Sequence, residues 1–343
     1  MASKRMMIIA VLVAAVVIVA AAAVALSTGS KATGGMTDAL GRTVNVDANA
    51  TRIVSCAPAI TEMIYALGGG NRVVAVTDYC DYPVTVVQAK ENETLKSIGN
   101  YKNPNFDKIV SMRSDLVILI KDAEGQPAMA SKLDEAGIRN IVVYECTNLT
   151  KIYENIEMLG KALHLQSTAD AKVLEMKAKM QYIETHLANT TSRPTVAFAV
   201  WLSPTYLAAN GTFINDVLTI VGGMNSFAQS NGYPTVASEA ILQANPDVII
   251  LTATMMATTE LTPEQIRAGI MSDPILKETN AVKNGSVFIL MHAAEDIFLR
   301  PSPRTPDGAG LLARMLFPAN FGGAIPYIIE DDYQSYLPSY NSG

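Results

Sequence analysis

The chain has 343 residues, a net charge of −6 at pH 7 and 17% charged residues. Its length favours two domains over one, and its acidic balance gives no support for nucleic-acid binding. The charged fraction is below the roughly 25% that is usual in soluble proteins, and part of this deficit belongs to the N-terminal segment.

Residues 1–35 predict a membrane anchor or signal segment followed by a stalk. Lys4 and Arg5 precede an unbroken apolar run over residues 6–26, and about 20 apolar residues suffice to cross a bilayer as a helix. The basic residues would stay in the cytoplasm while the rest is exported. The run exceeds the roughly 7–15 residues of a signal-peptide core, which favours an uncleaved anchor over a cleaved signal peptide. We therefore expect the folded part to lie outside the cytoplasm, membrane-anchored or secreted.

Residues 52–83 predict a strand–helix–strand unit. The apolar runs at 52–56 and 72–77 are typical of strands that are covered on both sheet faces. The helix predicted between them, over 61–67, makes a crossover that favours parallel pairing. Aromatic and acidic residues follow the second strand, from Asp78 to Tyr82. Ligands of open α/β sheets bind beyond the carboxyl ends of strands, so we expect a ligand there.

The alternation continues with helices over 106–112 and 129–136 and strands over 116–120 and 138–144. This order predicts a mostly parallel sheet wrapped by helices. Residues 148–189 carry apolar positions three or four apart, which is helical periodicity. We expect a break near residue 165, with Ser167 capping the second and longer piece.

The second half of the chain repeats the pattern of the first. Strands are predicted over 195–201, 248–252 and 287–290, and helices over 213–221, 237–243, 262–269 and 306–316. In each half an acid opens a short helix that leads into a buried strand: Asp107 in the first and Glu239 in the second. The fold class is therefore α/β, with two Rossmann-like lobes. The sequence does not decide whether the aromatic, acidic tail after Pro318 packs on the second lobe.

Several motifs, taken in order, resemble those of one protein family. They are Asp38–Val44 (DALGRTV), Arg52–Ser55 with Thr61 and Glu62, Asp78–Pro83 (DYCDYP), Ser114–Ile118, Gly222–Asn225 and Asn245–Ile250. Over about residues 38–317 the chain resembles the cobalamin and ferric-siderophore substrate-binding proteins of ABC importers, whose two lobes are joined by one long helix. The lobes are then expected at 36–147 and 193–343, with the linking helix at 148–192.

The resemblance implies docking residues on each lobe. Asp107 and Glu239 match positions that contact arginines of the membrane permease; the alternative is that they only stabilise helix N-termini. Asp107 is one methylene shorter than the glutamate that the family more often has. Glu62 is a weaker docking candidate, which would otherwise hydrogen-bond within its own lobe. The implied partners are an ABC permease dimer and its cytoplasmic ATPase subunits, with the binding protein itself monomeric.

The ligand is expected between the lobes. Tyr79, Tyr101 and Trp201 are candidate contacts because large flat rings suit a wide, partly apolar ligand. The alternative for Trp201 is a place in the core. Arg300 matches a cleft-facing position of the family, and arginine suits carboxylate or phosphate groups. Arg304 has an alternative role in a surface ion pair with Asp307.

Other polar residues give weaker signals. The three cysteines, Cys56, Cys80 and Cys146, read best as small buried thiols, with a Cys80–Cys146 disulfide as an alternative. His164 and His186 are expected to face solvent, whereas His292 could approach the cleft. Glycosylation sequences stand at Asn49, Asn92, Asn148, Asn189, Asn210 and Asn284.

The expected function is capture of a cobalamin-like corrinoid or an iron chelate and its delivery to an ABC permease. A ferric siderophore or haem is the alternative ligand, and a sensor ectodomain without transport is the alternative role. No intrinsic cofactor is expected, because the metal belongs to the ligand. An enzyme such as a chelatase is disfavoured, since the sequence shows no zinc motif, nucleophile elbow or phosphate loop.

Overall fold

The computed structural model describes residues 35–46, 50–138, 140–202, 204–254 and 261–340. The apolar run over 6–26 lies outside the described residues. Within them, no helix is long and apolar enough to cross a membrane. The described chain forms two α/β lobes, each built on its own sheet, with a helical segment between them.

The first lobe contains a five-stranded parallel sheet in the order β5-β4-β3-β6-β7. Its strands are β3 (Ile53–Ser55), β4 (Val73–Val76), β5 (Lys96–Ser97), β6 (Leu116–Ile120) and β7 (Ile141–Tyr144). Its helices are α1 (Pro58–Ala66), α2 (Val84–Glu91), α3 (Phe106–Ser111) and α4 (Gln126–Glu135). A small antiparallel pair, β1 (Met36–Thr37) and β2 (Thr43–Val44), precedes the sheet. The predicted parallel strand–helix–strand unit is confirmed.

The first lobe departs from the sequence prediction at β5, which was not predicted, and at three helices, of which α4 begins at Gln126 and not at the predicted residue 129. α1 begins at Pro58, three residues before the predicted start, because proline is favoured at the first helical position. α2 was not predicted. Its apolar residues form no clear stripe, and only Val86 is buried, so its sequence resembles a loop. It nevertheless anchors the loop after β4, because Lys90 Nζ donates to the carbonyls of Asp78 and Cys80.

The linking segment consists of α5 (Leu149–Leu163) and α6 (Gln166–Leu187). The predicted break is present: α5 ends at His164, which has a left-handed φ of 56°. Ser167, however, lies inside α6 and does not cap it, and Leu165 occupies the capping position without a side-chain hydrogen bond. A Cβ at Gly160 would overlap that of Ala169, so this glycine lets the two helices approach closely.

The second lobe contains a larger sheet in the order β10-β8-β11-β12-β13, parallel throughout, with β9 antiparallel to β8. Its strands are β8 (Thr195–Leu202), β9 (Thr205–Leu207), β10 (Met224–Asn225), β11 (Val248–Thr252), β12 (Val287–Leu290) and β13 (Ile328–Ile329). Its helices are α7 (Phe213–Ile220), α8 (Ser238–Ala244), α9 (Pro263–Ser272), α10 (Asn280–Lys283), α11 (His292–Leu299) and α12 (Thr305–Leu316).

The C-terminal tail packs on the second lobe and on α6. Its β13 extends the second sheet beside β12. Farther along, Tyr340 donates its hydroxyl to the carbonyl of Pro306 at 3.1 Å and meets the ring of Tyr182 edge-on. The tail therefore ties the linking helix to α12, which answers the question that the sequence left open.

A continuous apolar core joins the lobes through the linking helices. It includes Ile60 of α1, Ile156 of α5, Met180 of α6 and Phe298 of α11, none more than 5% exposed. Full burial of such a side chain contributes about 1.5–3 kcal/mol. The relative position of the lobes is therefore set by side-chain packing as well as by chain connection.

Candidate functional site

Two of the predicted ligand residues lie together at the carboxyl edge of the first sheet. Tyr79 follows β4 and Tyr101 follows β5, and their ring centroids are 5.7 Å apart in an edge-to-face arrangement. Tyr79 remains 42% exposed, so this aromatic pair is not part of the core. It offers a rigid, half-apolar wall with phenol groups at its border.

The loop that carries Tyr101 is held by the start of α4. The amide of Gln126 is fully buried and donates to the carbonyls of Cys56 and Tyr101. Its oxygen accepts from the backbone N–H of Ile120 at 2.8 Å. One buried amide thus fixes the loop against two strand ends, which positions the tyrosine without direct packing of its ring.

Tyr233 of the second lobe, a residue that sequence reasoning missed, lies near enough to Tyr101 for their charges to interact. It lies in the loop between β10 and α8, where the backbone N–H of Leu207 donates to Pro234. Loss of surrounding water, together with the charges of Asp122 and Tyr101, raises the pKa of Tyr233 to about 12. Because both of these residues belong to the first lobe, Tyr233 lies across the cleft from them. Its only sequence signal was a tyrosine in the turn Asn231–Pro234.

Trp201 stands near the end of β8, paired in register with Tyr206 of β9 across a bulge. It is half-buried and is not among the buried residues of the core. The antiparallel β9 was not predicted from sequence. It widens the strand-end edge of the second lobe, where both aromatic residues lie.

Arg300 lies between the lobes, but its guanidinium is already occupied by acids. It contacts both carboxylate oxygens of Asp81, and lies 2.9 Å from Asp296 and 3.4 Å from Glu62. It also donates to the carbonyl of Tyr79 at 3.2 Å. Burial alone lowers the pKa of Arg300, but hydrogen bonding to Asp81 and the neighbouring charges outweigh this and raise it above its usual range.

A second ion pair is more deeply buried. Glu62 of α1 is 3% exposed and accepts from Ser302 Oγ at 2.6 Å and from Arg304 Nε at 2.9 Å, with a further contact to Arg304 Nη2. The Tyr82 ring covers the Arg304 guanidinium at 4.0 Å. Together these contacts join the two lobes through hydrogen bonds to buried charges.

Two sequence expectations are corrected by this pair. Glu62 does not bond within its own lobe, and because it is buried against the second lobe it is wrong as a docking residue. Arg304 does not form a surface bridge to Asp307, since it is 6% exposed and bound to Glu62. Asp307 pairs instead with Lys179 of α6 at 3.1 Å.

Asp107 and Glu239 stand in the first turns of α3 and α8, and both are exposed. Neither makes an ion pair within the described residues. The two helices differ in their caps: the side chain of Asn105 accepts from the N–H of Lys108 in α3, whereas Ala237 precedes α8 without a side-chain cap.

The cysteines are free and buried, so the alternative Cys80–Cys146 disulfide is wrong. Burial raises the pKa of each thiol, and Cys80 Sγ lies 3.2 Å from the hydroxyls of both Thr61 and Thr77. These contacts fit small structural thiols. Within the described part of the chain, no group of three acidic, histidine or cysteine residues could hold a metal ion.

The remaining polar signals have mostly structural positions. His164 and His186 are exposed, and His292 is exposed at the start of α11, where its N–H donates to Thr254. Of the glycosylation sequences, those at Asn92, Asn189, Asn210 and Asn284 are exposed. Asn148 is half-buried and caps α5, while Asn49 lies outside the described residues.

Comparison with known proteins agrees with this architecture. The family model described as periplasmic binding protein matches residues 53–294. The uncharacterized ABC transporter substrate-binding lipoprotein YvrC of Bacillus subtilis is 30% identical over 288 residues, which are 83% of this chain and 85% of that protein. The vitamin B12-binding protein of Vibrio cholerae is 30% identical over 261 residues, 75% of this chain and 86% of that protein.

Among solved structures, the periplasmic haem-binding protein RhuT of Roseiflexus has a TM-score of 0.67 at 23% identity, covering 79% of this chain and 100% of that one. At this identity the likeness shows the fold alone. The family consists of solute-binding proteins, whose ligands are cargo and not cofactors, and which work with permease and ATPase subunits. The chain belongs to the periplasmic binding protein family and is an extracytoplasmic substrate-binding protein of an ABC transporter.

Proposed function

We propose that this protein captures a cobalamin-like corrinoid between its lobes and delivers it to its permease. The ligand-binding lobes are residues 36–147 and 193–343, joined by the linking segment 148–192. The observation that carries the proposal is the edge-to-face pair of Tyr79 and Tyr101 at the strand ends, with Tyr233 of the second lobe opposite. Trp201 extends this surface from β8.

The chemistry of these side chains favours a broad, largely uncharged ligand. Aromatic faces suit the apolar surface of a corrin ring, and neutral phenols can donate to its peripheral amides. The phenol of Tyr233 is protonated at neutral pH, as an ordinary tyrosine is, and its surroundings raise its pKa further. Arg300, which would suit the carboxylate groups of haem, is bound to acids. A vitamin B12-binding relative supports the same ligand class.

Thermal unfolding with cyanocobalamin, a ferric siderophore and haemin tests the ligand. A ligand that binds only the folded state raises the midpoint once its concentration passes the dissociation constant. We expect a shift with cyanocobalamin, and Tyr79→Ala should reduce it. Tyr327→Ala is the matched control, because this exposed tyrosine lies against Arg267, away from the site. A shift with haemin or the siderophore alone would overturn the corrinoid proposal.

We further propose that Asp107 and Glu239 dock onto basic residues of a permease dimer. The support is their exposure, one on each lobe, and their lack of ion pairs within the described residues. The binding protein acts as a monomer, held at the membrane by its N-terminal segment. Mass measurement of the purified protein's N-terminus decides whether this segment is retained.

The double substitution Asp107→Arg/Glu239→Arg tests docking. Ligand binding should remain while uptake by cells with the permease falls at least about tenfold, because like charges now meet across the contact. Asp134→Arg/Glu278→Arg is the control, since both acids are exposed and lie elsewhere on the lobes. Unchanged uptake in the docking variant would favour a sensor ectodomain without transport.

A further inference from the structure

The contact between the lobes contains more acids than bases. Two guanidiniums, those of Arg300 and Arg304, meet the carboxylates of Glu62, Asp81 and Asp296. With every group ionised the cluster carries a net charge of −1. We call these five residues the inter-lobe charge cluster.

The cluster has a buried half and an exposed half. The side chains of Glu62 and Arg304 are 1% and 7% exposed, so their pair is sealed from solvent. Asp81 is 52% exposed, although its partner Arg300 is only 12% exposed. The buried pair of Glu62 and Arg304 therefore holds the lobes together, whereas Asp81 lies at the solvent-exposed edge of the cluster.

Asp81 also stands next to the proposed ligand surface. It is two residues from Tyr79 in the chain, and Arg300 binds both the Tyr79 carbonyl and the Asp81 carboxylate. An anionic group that reaches Tyr79 would meet the Asp81 charge and find Arg300 already occupied. An uncharged group at the same place would meet no such repulsion.

We propose that Asp81 is a specificity-determining residue that occupies Arg300 and thereby excludes anionic ligands from the cleft. This inference rests on the proposed function, and it refines the ligand class to ligands whose cleft-facing groups are neutral. Specificity of this kind arises from repulsion of the wrong ligand as much as from attraction of the right one.

A pair of corrinoids that differ in charge tests the inference. Dicyanocobinamide carries amides around its ring, whereas dicyanocobyrinic acid carries carboxylates. The unmodified protein should bind dicyanocobinamide more tightly than dicyanocobyrinic acid. Added salt should reduce this difference in affinity, because it screens the repulsion between Asp81 and the carboxylates of the acid. Asp81→Asn should tighten binding of the acid at least about tenfold, with a smaller effect on the amide. Asp81→Glu keeps the charge and should keep the discrimination.

The control is Asp134→Asn, which removes an exposed charge on α4 and should leave the discrimination unchanged. Equal affinities of the unmodified protein for the two corrinoids, or no gain by Asp81→Asn, would overturn the inference. Failure of the proposed function gives a different result, because neither corrinoid then binds to the protein. In that case haemin, with its two carboxylates, becomes the probe, and failure of Asp81→Asn to strengthen haemin binding overturns the inference as well.

Discussion

The two lobes share a parallel α/β plan, but they bring opposite charges to their contact. The first lobe contributes Glu62 and Asp81, and the second contributes Arg300 and Arg304. Burying a guanidinium without a counter-charge is costly. The second lobe therefore depends on the first for the charge balance of its interior, so the contact selects one arrangement of the lobes over others.

Removal of the buried acid, Glu62, should cause the largest loss of stability. Glu62→Ala leaves Arg304 buried without its carboxylate, and loss of one partner of a buried ion pair costs about 3–5 kcal/mol. Urea unfolding followed by circular dichroism measures this change. Lys283→Ala is the control, because its pair with Glu278 is more than half exposed on both sides and should contribute no more than about 1 kcal/mol. Equal effects of the two substitutions would contradict the assigned role of Glu62.

The contact between the lobes also shows which features of the fold could be predicted from the sequence and which could not. The longer, buried strands and most helices were predictable because apolar runs and helix end signals are local. The short strands β1, β2, β5, β9, β10 and β13 were not predicted. The pairing of Glu62 with Arg304 was not, since the residues are 242 positions apart and each has a plausible local role. α11 was missed for a related reason: its polar residues Glu295 and Asp296 are turned toward the protein interior, so its pattern is not that of a surface helix.

The candidate site likewise contains residues that the sequence predicted and one that it did not. Tyr79 follows a predicted strand, and the rule that ligands bind at strand ends selects it. Tyr101 was expected on a loop, and β5, which places it beside Tyr79, was not predicted. Tyr233 lies on a long loop after β10, whose course depends on contacts with β9 that the sequence does not reveal. Position at a strand end is a local property, whereas the course of a long loop is set by tertiary contacts.

The C-terminal tail is the second difference between the lobes. Within the described residues, only the second lobe carries a terminal segment that packs on the linking helix α6. Tyr340→Ala removes a ring that packs on Tyr182 and lies under the Lys179 ammonium. We expect a loss of about 2 kcal/mol in the free energy of unfolding. Tyr340→Phe removes only the hydrogen bond to Pro306 and should cost about 1 kcal/mol. Thermal melting of both variants separates the contribution of ring packing to stability from that of the hydrogen bond. If Tyr340→Ala left the stability unchanged, Tyr340 would not hold the tail in place.

The excess acid at the contact should make stability depend on pH. Burial raises the pKa of Asp296 from 3.8 to about 7, with Asp81 and Glu62 raising it and Arg300 and Arg304 lowering it. Between these values the folded protein binds a proton that the unfolded chain has released, so the free energy of unfolding falls as pH rises through this window. The fall from Asp296 should be roughly 2–3 kcal/mol between pH 5 and 8.

Asp296→Asn isolates this contribution, because the amide cannot ionise. Urea unfolding of the variant at pH 5 and pH 8 should show a smaller difference than the unmodified protein shows. Glu295, Asp122 and Asp307 also have raised pKa values and act in the same direction, so some dependence should persist. An unchanged pH profile would mean that Asp296 is ionised throughout this range.

The smallest contrast lies in the two helices that carry the proposed docking acids, Asp107 and Glu239. In α3 the side chain of Asn105 caps the N-terminus, whereas Ala237 leaves α8 to the dipole stabilisation that Glu239 provides. Ala237 has extended backbone angles, φ −88° and ψ 159°, which suit a capping serine. Ala237→Ser should therefore stabilise the protein by about 1 kcal/mol, and Asn105→Ala should destabilise it by a similar amount.

The same contrast separates capping from docking. Glu239→Gln should lower the melting temperature more than Asp107→Asn does, because α3 keeps its own cap. After Ala237→Ser is introduced, the stability cost of Glu239→Gln should shrink, while any loss of uptake should remain. If restored stability also restored uptake, Glu239 would matter only as a helix-stabilising charge. If uptake stayed low in a fully stable protein, the carboxylate itself would be what the permease contacts.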